Sequence, residues 1–189
     1  MISKNQIKHI SSLHQKKFRK EEGFFIAEGE KVCQDLIDSN WTVQSLFMTE
    51  EFRKEKFSKW TKKIHAETIT EKELEKISAL TTPQHVLAVA KIPELHLNID
   101  SLKNELSLML DEIKDPGNLG TIIRIADWFG IKNIICSTNC ADVFNPKTVQ
   151  ATMGSLFRVN VFYESLADVL GKSPRCFYNT FEICYHGNS

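Results

Sequence analysis

Residues 106–130 oblige a strand to hand over to a helix within a short glycine-bearing loop. Leu106 to Leu110 is an apolar run of strand length, and Asp111 to Gly120 mixes acids, proline and glycine. Thr121 to Phe129 then repeats apolar side chains at helical spacing until Gly130 stops it. A chain built from such units folds in α/β layers. The alternation recurs elsewhere. Strands are predicted at Phe24–Ala27, Val43–Met48, Ile64–Ala66, Val86–Ala90, Asn133–Cys136, Phe157–Phe162 and Cys176–Tyr178. Helices are predicted between them, one opening at the Thr70/Glu73 capping box and one at Asn145-Pro146. Parallel α/β layers are therefore expected in both halves. Ile92-Pro93 and the weakly patterned stretch to Ser101 divide residues 1–92 from 101–189.

The 189 residues suffice for one domain or two small ones. With 42% hydrophobic and 25% charged residues, a disordered or fibrous chain is excluded. The apolar runs fall short of the ~18 residues that cross a bilayer, so no membrane role is expected. Cys33, Cys136, Cys140, Cys176 and Cys184 form no CxxC pair. Free thiols in a reducing compartment, the cytoplasm, are the expectation. The net charge of zero hides an uneven distribution. Lys4, Lys8, Lys16, Lys17, Arg19 and Lys20 stand in the first twenty residues without one acidic side chain, a basic arm suited to phosphates. Arg53, Lys54, Lys56, Lys59, Lys62 and Lys63 form a second cluster among Phe52, Phe57 and Trp60. Those rings either stack bases or turn into the core beneath a solvated face; charge alone favours the second.

In Asp111–Arg124 the glycines are spaced Gly-x-x-Gly, which matches neither the dinucleotide fingerprint nor the Walker A loop. A nucleotide-binding oxidoreductase is a poor reading for that reason. Ligands of open α/β sheets sit beyond the carboxyl ends of the strands, which is where this loop lies. Ile122, Ile123, Ile125, Ala126 and Phe129 form a wide apolar face predicted to be buried, leaving Arg124 near the loop mouth. Locally, Arg124 suits a surface pairing with Asp127 at i+3, and Asn118 suits a turn or cap.

The segment LMLDEIKDPGNLGTIIRIADWFGI resembles the first signature motif of the SpoU/TrmH family of RNA 2′-O-ribose methyltransferases, in the SPOUT superfamily. FNPKTVQATMGSLFRVNVF resembles the segment that follows it there, and KHISSLHQKKFRKEEGFFIAEGEKVCQDLI is similar to the family's N-terminal substrate-binding domain. The resemblance implies a ribosomal-protein-like α/β RNA-binding domain joined to a parallel α/β SPOUT domain of the trefoil-knot type. It implies methyl transfer from S-adenosylmethionine to a ribose 2′-hydroxyl of ribosomal or transfer RNA, without a metal. By the same resemblance Arg124 acts on that hydroxyl, Asn118 supports its geometry, Thr180 contacts the methyl donor, and the intact protein is a homodimer. It also strengthens RNA as the partner of the basic arm.

The family continues with three further motifs that build the knot and most of the donor pocket, and this sequence has none of them. It reads as a truncated or frame-shifted homologue, and a catalytically inactive RNA-binding protein is the alternative function. Histidines 9, 14, 65, 85, 96 and 186 show no metal-like pairing, and Gly154-Ser155 reads as a turn closing a helix. Cys136 and Cys140 read as buried or incidental thiols.

Overall fold

Ser3 and Thr70 open helices because each side-chain oxygen takes the N–H three residues on, while Gln6 and Glu73 reach back to the cap. The computed structural model describes residues 2–57, 60 and 64–172. The first half runs α1 (Lys4–Ser12), α2 (Lys16–Glu22), β1 (Phe24–Glu28), α3 (Glu30–Asp38) and β2 (Val43–Met48). It continues with α4 (Glu50–Glu55), β3 (Glu67–Thr68), α5 (Glu71–Ile77) and β4 (Val86–Lys91). The second half is β5 (Ser107–Leu110), α6 (Pro116–Trp128), β6 (Asn133–Cys136), α7 (Pro146–Thr152), β7 (Asn160–Tyr163) and α8 (Leu166–Lys172). Cys176–Tyr178 falls outside the described residues, and the short third strand lies at Glu67–Thr68 rather than Ile64–Ala66.

The second half forms the expected parallel sheet, in the order β5-β6-β7, with Leu110, Cys136 and Tyr163 level at its carboxyl end. The first half does not. Its sheet has the order β1-β4-β2-β3, and β4 runs antiparallel to both β1 and β2. The reason lies in the connection. The Thr49 N–H bonds the His85 carbonyl, so β4 starts beside the end of β2, and α5 never carries the chain back across the sheet. A parallel return needs such a crossover.

Alternation along β1 and β4 gives this sheet two apolar faces. Ile26, Leu87 and Val89 join Ile10, Leu13, Leu74 and Ile77 beneath α1 and α5. Phe25, Ala27, Ala88 and Ala90 face the other way, into a core shared with Leu119, Ile123, Ile134 and Val149 of the second half. At the seam the Trp41 ring sits 5.9 Å from Phe25, 6.2 Å from Phe144 and 5.3 Å from Phe157. Fully burying such a ring contributes about 1.5–3 kcal/mol, which applies to Phe25 and Phe157, while Trp41 and Phe144 are half-buried. The two layers therefore meet through a hydrophobic joint. Polar ties reinforce it: Arg158 bridges Asp35 of α3 at 2.9 Å and Asp127 of α6 at 2.7 Å.

Candidate active site

After β5 the chain turns through Glu112, whose φ of +51° is left-handed. The Glu112 N–H donates to Ser137 Oγ at 3.0 Å and the Ile113 N–H to Cys140 Sγ at 3.3 Å. Ala141 N–H returns a bond to the Ile113 carbonyl at 2.7 Å. The loop is thus stitched to residues 137–141 beyond β6, and Cys140, buried as expected, is one of the stitches. Burial, then Cys140 nearby, pushes the Cys136 thiol far above its ordinary range, so it stays protonated.

The helix starts earlier than its apolar pattern predicts. Asp115 caps α6 by accepting the Asn118 N–H at 2.8 Å, and Pro116 takes the first helical position. Lys147 at the start of α7 reaches the other carboxylate oxygen at 3.1 Å. The Asn118 bond, then the Lys147 bond, hold the Asp115 carboxyl below its ordinary value of 3.8. Asp115 and Lys147 are functional candidates that periodicity misses, although Asp115-Pro116 carries the same signal as Asn145-Pro146. Gly120 lets α6 and α7 approach closely: a Cβ there would lie 2.5 Å from the Ala151 Cβ.

Asn118 therefore sits in the first turn of α6, exposed, with its side-chain amide unpartnered among the described residues. Arg124 is also exposed and finds no ion-pair partner among them. The local pairing with Asp127 does not form, because Arg158 takes that carboxylate. Burial raises the Asp127 pKa, but hydrogen bonds from Arg158 and Ser155 outweigh it and keep the group ionised. Six residues separate Asn118 from Arg124, about 9 Å along the axis and roughly 120° around it. A ligand contacting both must bridge the Thr121 side of the helix. The predicted apolar face is narrower than expected: Leu119, Gly120, Ile123 and Ala126 are buried, whereas Ile125 and Phe129 are exposed.

The basic arm needs one correction. Lys4, Lys8, Lys16, Lys17 and Lys20 are exposed on α1 and α2, but Arg19 is buried at 2% exposure. Its guanidinium donates to Asp142 Oδ2 at 2.6 and 3.2 Å and to the Leu13 and His14 carbonyls at 2.8 Å. It is a tie between layers, not an RNA contact. In the second cluster Phe52 and Trp60 are buried edge to face at 5.8 Å, and Phe57 packs against Trp60 at 5.4 Å. The rings serve the core, and Lys54 and Lys56 pair with Glu50 and Glu30. Thr180 lies outside the described residues.

A solved structure of a protein of the TrmH RNA methyltransferase family from Porphyromonas gingivalis superposes on 93% of this chain with a TM-score of 0.81. It is 35% identical, and the chain covers 68% of it. The chain belongs to the SpoU/TrmH family. Residues 105–183 match the SpoU rRNA Methylase family, and residues 4–88 match an MRM3-like substrate binding domain. The Bacillus subtilis 23S rRNA (guanosine(2553)-2′-O)-methyltransferase RlmP is 32% identical over 87% of this chain and 64% of its own length. The rRNA methyltransferase 3, mitochondrial, of Xenopus laevis is 33% identical over 82% of this chain and 38% of its own length. An AdoMet-bound rRNA methyltransferase from Sinorhizobium meliloti has a TM-score of 0.76 at 30% identity, covering 93% of this chain and 68% of that one. The chain thus spans less than two thirds of the length of these curated relatives.

The described residues of this SpoU/TrmH chain include Asn118 and Arg124, both on α6. Two cavities lie on the first half, one of about 600 Å³ between residues 49–51 and 68–76 and one of about 210 Å³ between Glu30, residues 51–56, Gln84 and His85, and neither touches Asn118 or Arg124. The residue assigned to the donor, Thr180, lies beyond the described ones.

Proposed function

We propose that this chain carries the RNA-recognition and hydroxyl-positioning parts of an S-adenosylmethionine-dependent rRNA 2′-O-ribose methyltransferase. The observation that carries the reading is the pair of exposed side chains, Asn118 and Arg124, unengaged among the described residues, on a helix that opens at the carboxyl end of a parallel strand. The donor, when bound, supplies a sulfonium methyl that is already a good electrophile. What remains for the protein is to align the ribose hydroxyl and ease loss of its proton. An arginine with a pKa above ~12 does not act as a free base. Arg124 instead donates hydrogen bonds to the ribose oxygen and its phosphate, stabilising the negative charge that builds on the oxygen as the hydroxyl proton leaves. That proton passes to a phosphate oxygen or solvent, the new O–CH3 bond forming as the donor's S–CH3 bond breaks. Asn118, held in the first turn by the Asp115 cap, fixes the approach.

Transfer of tritium from labelled S-adenosylmethionine into ribosomal RNA tests this. Arg124→Ala should lower turnover by about 100-fold or more while RNA affinity changes only a few-fold. Arg124→Lys, which keeps the charge but loses the planar fork, should fail as well. Near-normal turnover of Arg124→Ala would remove the mechanism. The other reading the sequence leaves open is an inactive RNA-binding homologue. Calorimetric titration with S-adenosylmethionine separates the two: micromolar binding by this chain eliminates the inactive reading.

The intact assembly is proposed to be a homodimer through the end of α6, where Ile125, Trp128 and Phe129 are 50, 86 and 73% exposed. Adjacent large apolar side chains this exposed mark a contact surface. Sedimentation should show self-association that Trp128→Glu abolishes, and a wild-type monomer at tens of micromolar would refute the dimer.

A further inference from the structure

Glu28 closes β1 with a carboxylate that is only 4% exposed. It accepts the Ser78 hydroxyl at 2.7 Å, the Gln84 N–H at 3.1 Å and the Ala79 N–H at 3.3 Å. A buried charge is costly unless fully bonded, so these three donors tie loop 78–85 to the turn after β1 in one shape. The loop itself, Ser-Ala-Leu-Thr-Thr-Pro-Gln-His, carries no acid, lysine or arginine, and Thr81, Thr82, Gln84 and His85 are exposed. Gly29 forms the floor beside it. A Cβ built there would lie 3.6 Å from Gln84 Cγ and 3.9 Å from Gln150 Nε2, so the two glutamines flank this glycine from opposite layers, the Gln84 amide resting on the Thr82 carbonyl at 3.4 Å. One helical turn back along α7 stands Lys147, bonded to Asp115 and 3.5 Å from where a Gly117 Cβ would be. A continuous polar line thus runs from the start of α6 to loop 78–85.

We propose that loop 78–85 and the Lys147–Gln150 face of α7 form one surface that binds unpaired nucleotides beside the methylated one, the Gln84 and Gln150 amides reading base edges. This rests on RNA being the substrate. Side-chain amides are the groups that pair with base edges, and RNA presents those edges where it is single-stranded. Glu30, Glu51 and Glu55 border the outer side of the loop with a single cation, Lys56, itself paired to Glu30 at 3.6 Å, so the phosphate backbone should follow the Lys147 side. Glu28 is a positioning residue: it touches no nucleotide and shapes the loop that does.

Fluorescence anisotropy on the full chain with labelled RNA dodecamers of A, C and U and a hairpin control, each across a potassium chloride series, tests the surface. Wild type should separate the three single strands by at least about five-fold, the low end for one good base contact. Gln84→Ala/Gln150→Ala should erase that preference with an unchanged salt slope. Lys147→Met should weaken all three equally and lower the slope by about one. Glu28→Gln should erase the preference without changing the slope. A double variant that keeps the preference, or a wild type that binds without any, overturns the surface alone. No binding to any of the RNAs overturns the methyltransferase reading with it.

Discussion

Replacing Arg19 with alanine should destabilise the whole molecule rather than merely lighten its positive charge. The side chain is buried and makes four hydrogen bonds, two of them to Asp142, whose side chain is 15% exposed. Removing one partner of such a pair costs about 3–5 kcal/mol, because the other charge is left uncompensated. Asp142 keeps the Phe144 N–H at 3.0 Å, which pulls the cost toward the lower end. The Leu13 and His14 carbonyls lose their donor, which pulls it back up. A loss of ~4 kcal/mol is a large part of the 5–15 kcal/mol that stabilises an ordinary domain. Urea unfolding read by tryptophan fluorescence suits the question, since Trp41 stands at the seam. A cycle of Arg19→Ala, Asp142→Ala and the double variant should show a coupling of about 1–3 kcal/mol. Both the loss and the coupling should persist in high salt, because buried pairs are poorly screened. A loss below about 1 kcal/mol, or strict additivity, would show that Arg19 behaves as a surface cation and that the reasoning is wrong.

Gly120→Ala should lower stability by about 1–3 kcal/mol in thermal unfolding, since overpacking against Ala151 outweighs the ~1 kcal/mol gained in helix propensity; a rise in Tm would refute it. Asp115 is depressed by the native state, so its cap is complete above pH 3.8 and is lost as pH falls through the lower folded value. In an NMR titration the Asn118 amide should shift with a midpoint below 3.8, and a midpoint at or above that value would contradict the cap. Burial, opposed by a backbone hydrogen bond, drives the Cys33 thiol well above its ordinary range. Peptide mapping after alkylation at pH 8 should find Cys33 and Cys136 unmodified until denaturant is added; rapid native labelling would refute their burial.

Local signals were legible in the sequence where the physics is local. The Thr70/Glu73 box and the Asn145-Pro146 start each involve residues within three positions, and both helices begin there. Asn118 and Arg124 stand out by motif, and the structure places both, exposed, on one helix. Distant pairings were not legible. Arg19 looks like its lysine neighbours because its partner is 123 residues away, and Asp127 looks available to Arg124 until Arg158 arrives from beyond α7. The width of the buried stripe on α6 depends on how many elements cover it, which periodicity does not report. The direction of β4 likewise depends on a crossover that α5 is too short to make.

The ring cluster of Trp41, Phe25, Phe144 and Phe157 limits how modular this architecture is. A fragment ending near residue 92 would present Phe25 and Trp41 to water, and its complement would present Phe144 and Phe157. Both pieces would tend to precipitate. Grafting the first layer onto a different second layer requires a recipient with a matching aromatic socket, so the two layers are constrained to change together.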